Sequence, residues 1–448
     1  MRDLRRRALE SNKTVSRKTA SRIASGATSK AGSAAPSPAQ SRATSRTRGK
    51  PTSDEEDEEE YFSDSTAWST NSIDGVLNNE ELEMSEEAWR AELYTRIEQI
   101  SNTKRSSTDG RIQSLSVYAH ILMSRYARRD VESHLAELIP SLIKSIRQDN
   151  SEREALVALT ALCVTIVTLE SDDIYDDVAN QLKRSIQSSE SIEIKTSAIH
   201  ALGTAAFFGG AGEDEKLDIM ALLLEIIESD GGSVEAQDDG GVVTAALQQW
   251  GLLATEIEDL QEETEAAMEA FVDQLDSADP KVQIAAGENI AFLYEKSYTP
   301  QEEDEAGSEK DDSEDPSEDP EYNPSAIKMV KRYNVYRRPD QLRRTLEELA
   351  KTSSRRVSKR DKRSLHSSFA EIRNTVEKPT RGPGYSTAID QETGRVYGNR
   401  GKMKLDSEDV TIDRWWKLLR LNVLRRVLQG GLSEHYSQNA MVNHVLRD

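Results

Sequence analysis

The chain has 448 residues, 36% of them hydrophobic and 31% charged, with a formal net charge of -22. Its single cysteine, Cys163, excludes a disulfide framework within one chain and fits a reducing compartment. The N-terminus has no apolar stretch, and the longest apolar run, Ala155–Leu169, spans about 15 residues where a membrane crossing needs roughly 18. Neither a secretory signal nor a membrane anchor is therefore expected.

The charge is unevenly placed. Residues 1–50 are basic, Asp54–Glu60 (DEEDEEE) acidic, 301–321 acidic again, and 328–363 strongly basic. The two cationic segments, not the average, predict partners such as nucleic acid. Residues 1–80 are rich in Ser, Thr, Ala and Arg, then in Asp and Glu, without a hydrophobic period. Burial cannot offset their ordering entropy, so the segment is expected to be disordered. Trp68–Leu77 (WSTNSIDGVL) is the one stretch in it suited to docking locally.

From about Glu86 helix-period patterns follow one another, near 86–100, 111–128, 131–148, 152–169, 173–188, 191–208, 214–229, 241–257, 260–276 and 280–296. Gly209–Gly210, Gly231–Gly232 and Asp279–Pro280 supply helix-stop and helix-start chemistry between them. The patterns repeat. Tyr118, Ala158, Ala198, Ala246 and Ala286 fall in register, and one turn later come Leu122, Leu162, Leu202, Trp250 and Ile290. The intervals are 40, 40, 48 and 40 residues, the long one containing SDGGSVEAQDDGG. A small residue followed one turn later by a large one lets neighbouring helices approach and interlock. A period near 40 with two helices per unit marks an armadillo/HEAT-like α-solenoid over 86–297.

Residues 298–325 form an acidic, proline-containing stretch that reads as an extended linker. The remainder, 326–448, reads as a helical C-terminal module, with helical signal at 338–350, 358–376, 411–429 and 434–447. Between them 379–401 is rich in Gly and Pro and reads as a loop, with Asp390–Val396 (DQETGRV) a hairpin turn inside it.

This module carries a recognisable combination: Ser358–Phe369 (SKRDKRSLHSSF), Val410–Leu428 (VTIDRWWKLLRLNVLRRVL), Gly430–Gly431, His435 and Asn439. Together with the helical array and the acidic, Ser-rich start, it resembles the interferon-related developmental regulator family over residues 54–448. The resemblance implies an armadillo-like fold, no catalytic activity and a regulatory role, in transcriptional co-regulation or on translationally idle ribosomes. Compared with the animal pattern, this chain has a longer Ser/Arg-rich start, an acidic insert at 301–321 and an extended loop at 379–409.

Lys359, Arg360, Lys362 and Arg363 concentrate positive charge where a helix begins. Such a run neutralises phosphates in RNA or DNA, serves as a nuclear localisation signal, or pairs with the chain's own acidic stretch. The helix at 411–429 is apolar on two sides: Ile412, Trp415, Trp416, Leu419, Val423 and Val427 share one arc, and Leu418, Leu421, Leu424 and Leu428 another. That pattern favours a sandwiched core helix. The alternative is that Trp415 and Trp416, with Arg414, Lys417 and Arg425, form a base-stacking platform. In the N-terminal tail, Ser53 and Ser63–Ser65 lie in surroundings that acidophilic kinases accept.

Enzyme chemistry finds no support. The six histidines do not cluster with cysteine at metal spacing, and Gly209, Gly210 and Gly212 lack the preceding strand and following Lys of a phosphate loop. Asp172 and Asp173 sit where a helix dipole favours carboxylates. The sequence thus predicts an all-α scaffold of about five helical pairs, a helical C-terminal module and a disordered N-terminal tail. No cofactor, metal, small-molecule substrate or membrane partner is expected. The concave face of the solenoid is the expected docking surface, for a ribosome or RNA in the cytoplasm, for nuclear protein complexes, or for protein partners alone.

Overall fold

The structure, a computed structural model, describes residues 85–447 apart from 103–106, 148–150, 170–172, 302–328, 352–358, 390–395, 400 and 406–407. All described residues fall within one compact unit, Ser53–Asp448. The tail 1–80, its kinase-type serines, and most of the acidic stretch 298–325 lie outside the described residues.

Eleven helices run through the region that the repeat marks: α1 (Glu86–Ser101), α2 (Thr108–Ser124), α3 (Arg128–Glu132), α4 (Leu135–Arg147), α5 (Glu152–Leu169), α6 (Ile174–Ser188), α7 (Ile192–Phe208), α8 (Glu213–Glu228), α9 (Gly240–Ala254), α10 (Gln261–Gln274) and α11 (Pro280–Lys296). Their starts follow local chemistry. Ser107, Ser191 and Asp239 each accept a first-turn amide, at 3.1, 3.2 and 2.9 Å. Asp279 does the same ahead of Pro280, whose missing N–H costs nothing at the first helical position.

The helices pair as α1/α2, α4/α5, α6/α7, α8/α9 and α10/α11, and the second members α2, α5, α7, α9 and α11 stack in one continuous row. The register residues explain the stacking. Ala158, Ala198, Ala246 and Ala286, with Leu162, Leu202, Trp250 and Ile290 one turn on, are at most 1% exposed. At Gly251 a Cβ would lie 2.2 Å from Asn289 Oδ1, so α9 and α11 approach closer there than any side chain allows. Asn289 uses that proximity to donate to Leu247 O at 2.8 Å. One buried ion pair also joins the row: Glu154 on α5 is fully buried and accepts from Arg111 Nε and Nη2 on α2 at 2.8 and 2.9 Å.

Two boundaries differ from the sequence pattern. The helix expected over 111–128 ends at Ser124, because Arg125 turns extended, and the one expected over 131–148 is broken into α3 and α4. The long interval SDGGSVEAQDDGG is a packed turn, with Val234 and Ala236 buried and Lys195 donating to Val234 O.

The acidic stretch does not separate two bodies. Its flanks pair as an antiparallel ribbon, β1 (Tyr298–Pro300) with β2 (Met329–Lys331), Tyr298 opposite Lys331. The chain then forms a sixth pair, α12 (Pro339–Lys351) and α13 (Lys359–Glu377), and α13 packs on α11. Phe369 and Ile372 of α13 close over Gly287, where a Cβ would sit 2.6 Å from Ile372 Cδ1. The boundary drawn at 326 from charge and proline content therefore divides residues that packing unites, and the described solenoid has six pairs where about five were expected. The stretch 379–401, expected as loop, contains β3 (Tyr385–Ile389) paired with β4 (Val396–Asn399), and β5 (Lys402–Leu405) pairs with β6 (Glu408–Thr411) just beyond. Of the turn expected at Asp390–Val396, residues 390–395 lie outside the described residues and Val396 opens β4.

Candidate macromolecular docking surface

The face made by the second helices is not open. The last segment of the chain, α14 (Trp415–Leu428), α15 (Leu432–Gln438) and α16 (Ala440–Arg447), lies across it as an arm. Helix α14 packs on α11, α9, α5 and α2, and α15 on α2, so the arm runs back along the stack from its sixth pair towards its first. The two apolar arcs read from the sequence are thereby both covered: Trp415, Leu419, Leu421, Val423, Leu424, Val427 and Leu428 are all buried.

Polar side chains fix the register of the arm, and their targets form a pattern. His435 Nε2 donates to Leu122 O at 2.7 Å, in the last turn of α2. Asn439 Nδ2 donates to Val167 O at 2.9 Å, in the last turn of α5. Arg420 donates to Thr255 Oγ1 at 3.0 Å and to Thr255 O at 3.3 Å, at the end of α9. Each meets carbonyls that a helix leaves without an internal partner, at the end where its dipole is negative. At its own start α14 is held in the opposite sense: the buried Glu295 carboxylate on α11 accepts the Trp415 amide at 3.1 and 3.2 Å. Burial pushes the Glu295 carboxyl up to about 7, against the pull of Arg414 and the amide donors.

Arg426 is the least ordinary contact. Its guanidinium is buried, donates to His200 Nδ1 at 3.0 Å, and also meets Gln248 Oε1. Gln249 Nε2 approaches the same imidazole nitrogen at 3.1 Å, so Nδ1 is an acceptor and the ring is neutral. Burial, then the Arg426 charge, holds the His200 pKa well below its ordinary value, and burial brings the Arg426 pKa down to about 10. Beside them Cys163, its thiol pushed up to about 12 by burial, lines a cavity of about 20 Å³ with Thr204 and Val427. That volume suits a water molecule and not an organic ligand.

The candidate site residues separate into two groups. Lys359, Arg360, Lys362 and Arg363 occupy the first turn of α13, and their side chains lie outside the described residues. The others belong to the arm and are engaged inside the fold. Arg414 caps α14 next to Glu295, Lys417 Nζ sits 3.1 Å from Asp413 and 5.3 Å from the Trp416 ring, and Arg425 points a guanidinium N–H at Met403 Sδ. Trp415 is 1% exposed, with its indole N–H donating to Thr375 Oγ1 at 2.8 Å. Trp416 is half-buried beneath Arg420, 4.7 Å from its centroid. The two rings therefore offer no common platform to a base. Sequence reasoning missed Arg420, Arg426 and Gln248, whose contacts between arm and stack span 165 or more residues and leave no local signal. It singled out His435 and Asn439 only as part of a resemblance.

Among the described residues no group of His, Cys, Asp or Glu is arranged to hold a metal ion, and no helix is long and apolar enough to cross a membrane. The family model for interferon-related developmental regulators matches residues 61–377, most of the chain, and its match ends on the last residue of α13. The chain belongs to the interferon-related developmental regulator family. An uncharacterized protein of Schizosaccharomyces pombe (strain 972) is 26% identical over 377 residues, covering 83% of this chain and 77% of that one. Among solved structures, a designed armadillo repeat protein is similar at 13% identity and a TM-score of 0.34, covering 63% of this chain and all of that one. The rod of helix pairs is a scaffold, and its second-helix face is closed by the arm. The arm lies beyond the family match.

Proposed function

We propose that this regulator is a non-enzymatic scaffold that docks on a ribosome or another structured RNA through the start of α13, the second helix of its sixth pair. The observation that supports this reading is a reversal of charge along the rod. From Ile174 to Lys296 carboxylates outnumber Lys and Arg several-fold, whereas from Met329 to Glu377 Lys and Arg outnumber carboxylates more than two to one. A phosphate backbone is repelled along the third to fifth pairs and attracted at the sixth, so the reversal orients as well as attracts. With the second-helix face covered and the arm's cations engaged, Lys359, Arg360, Lys362 and Arg363 carry the proposed contact. In this reading the protein works in the cytoplasm and carries out no chemistry of its own.

The test is cosedimentation of the full chain with ribosomes across a salt series. Binding should weaken steeply with salt, and replacing the four cations with alanine should weaken it and flatten that dependence. Binding that is indifferent to salt, or to the four replacements, would overturn the RNA reading. Recovery with chromatin complexes alone would favour the nuclear co-regulator, to which the acidic face of pairs three to five is better suited as a protein-binding surface.

A further inference from the structure

The rod has one end with nothing on it among the described residues. Helix α1 is the first of the described helices, and at this end the first two helical pairs leave a groove open between α1 and α4. On the side of α1 turned to α4, Tyr94, Ile97, Glu98 and Ser101 follow at helical spacing, and with Asn102 they form one wall of that groove, of about 620 Å³. His134 and Glu137, at the start of α4, form the other. Tyr94 is 43% exposed and is one of only two large hydrophobic side chains so exposed among the described residues. It is nevertheless held in place: its hydroxyl donates to Asp130 at 2.8 Å, and its ring stands edge-on to His134 at 5.9 Å. The Ser101 hydroxyl in the same wall is buried and has no hydrogen-bond partner. A fixed aromatic face beside an unanswered polar atom is a surface shaped for an occupant.

We propose that the groove is filled by the chain's own segment Trp68–Leu77. The match to the family begins at residue 61, well ahead of α1, so the sequence that defines the family includes a stretch absent from the described fold. In Trp68–Leu77 the apolar side chains are Trp68, Ile73, Val76 and Leu77, and Asp74 is the only charge. The groove selects for that composition. Its aromatic and imidazole rings favour apolar contact, while Glu98 and Glu137 at the rim repel the run Asp54–Glu60. The connection is long enough. Tyr94 lies about 14 Å along α1 from Ser85 and Asn102 about 26 Å, and the eight residues from Leu77 to Ser85 span up to about 26 Å when extended. Val76 and Leu77 thus reach the groove, and Trp68 has slack to turn back over Tyr94. Seated there, the segment fills the open groove between the first two helical pairs.

The test uses the full chain with Tyr94 replaced by the photo-crosslinker p-benzoylphenylalanine, followed by peptide mapping after irradiation. The expected product joins position 94 to residues 68–77 within one molecule, with a yield independent of protein concentration. Combining this with Trp68→Ala and Leu77→Ser should cut that yield several-fold. In the chain with native Tyr94, the same two changes should speed hydrogen exchange in α1 by more than tenfold and leave α7 and α9 unaffected. Crosslinks to other segments, a yield that rises with concentration, or unaltered exchange in α1 would overturn the proposal.

Discussion

The helix stack and the arm across it are both helical and both buried, yet they are held in different ways. In the stack, small and large apolar residues recur at a fixed interval, and each pair repeats the packing of the one before. In the arm no interval recurs along the sequence. Its position is set by single polar side chains, His435, Asn439, Arg420 and Arg426, each aimed at a different helix of the stack. A periodic interface spreads its stability over many similar contacts, whereas an aimed one concentrates its register in a few. Damage to the two regions should therefore differ in kind, and that difference can be tested.

The largest effect is expected at Trp415, whose indole is fully buried between α11 and α13 and hydrogen-bonded to Thr375. Trp415→Ala should lower stability by about 3–5 kcal/mol in urea unfolding, in one transition. A loss below about 1 kcal/mol, or a separate early transition, would show that the arm is an accessory and break the comparison. Gly431 comes next. A Cβ there would stand 1.7 Å from Met123 O, so Gly431→Ala must shift the backbone of the arm or of α2. It should cost about 1–3 kcal/mol, with faster hydrogen exchange confined to α2 and α15.

Acid should act on the docking of the arm through its own His435 and through His200 of α7. His200 and His435 are both neutral in the fold, with pKa values lowered first by burial. The unfolded chain binds more protons than the fold as pH falls through the ordinary histidine range, so this contribution is present above that range and lost below it. Glu295 works in the opposite sense: its carboxyl is raised to about 7, so its contribution is lost as pH rises from the usual carboxylate range through 7. The histidine effect is therefore read as a difference. Between pH 7 and 5, His435→Gln should lose less thermal stability than the unaltered chain, and equal slopes would exclude His435 from arm docking. Arg426→Met should have a smaller effect still, within about 1 kcal/mol or stabilising, because a buried cation with neutral acceptors is replaced by an apolar side chain of similar length. A loss above about 3 kcal/mol would mark the guanidinium as indispensable to the register.

These differences also explain what was legible in the sequence. The first five pairs could be read because their alanines and their large partners one turn later recur in one frame. The helices of the sixth pair were visible through their own periodicity, but their place in the stack was not. The interposed acidic stretch interrupts the interval, and the high charge of 328–363 outweighs the narrow stripe of Leu342 and Leu346. For α14, apolarity on two sides pointed to a sandwiched helix, which its burial bears out. What sandwiches it could not be read, because Trp415 meets Glu295 across 120 residues and His435 meets Leu122 across 313. At the candidate RNA contact the sequence supplied a charge pattern, and the structure adds that the arm's cations are engaged elsewhere.

The ribbon of β1 and β2 has a consequence for chain integrity. Because Tyr298 lies opposite Lys331, the chain on either side of 302–328 is clamped at one point, and beyond it α13 and the arm grip helices that precede Tyr298. A protease cut within 302–328 should therefore yield two polypeptides that elute as a single particle and come apart only in denaturant.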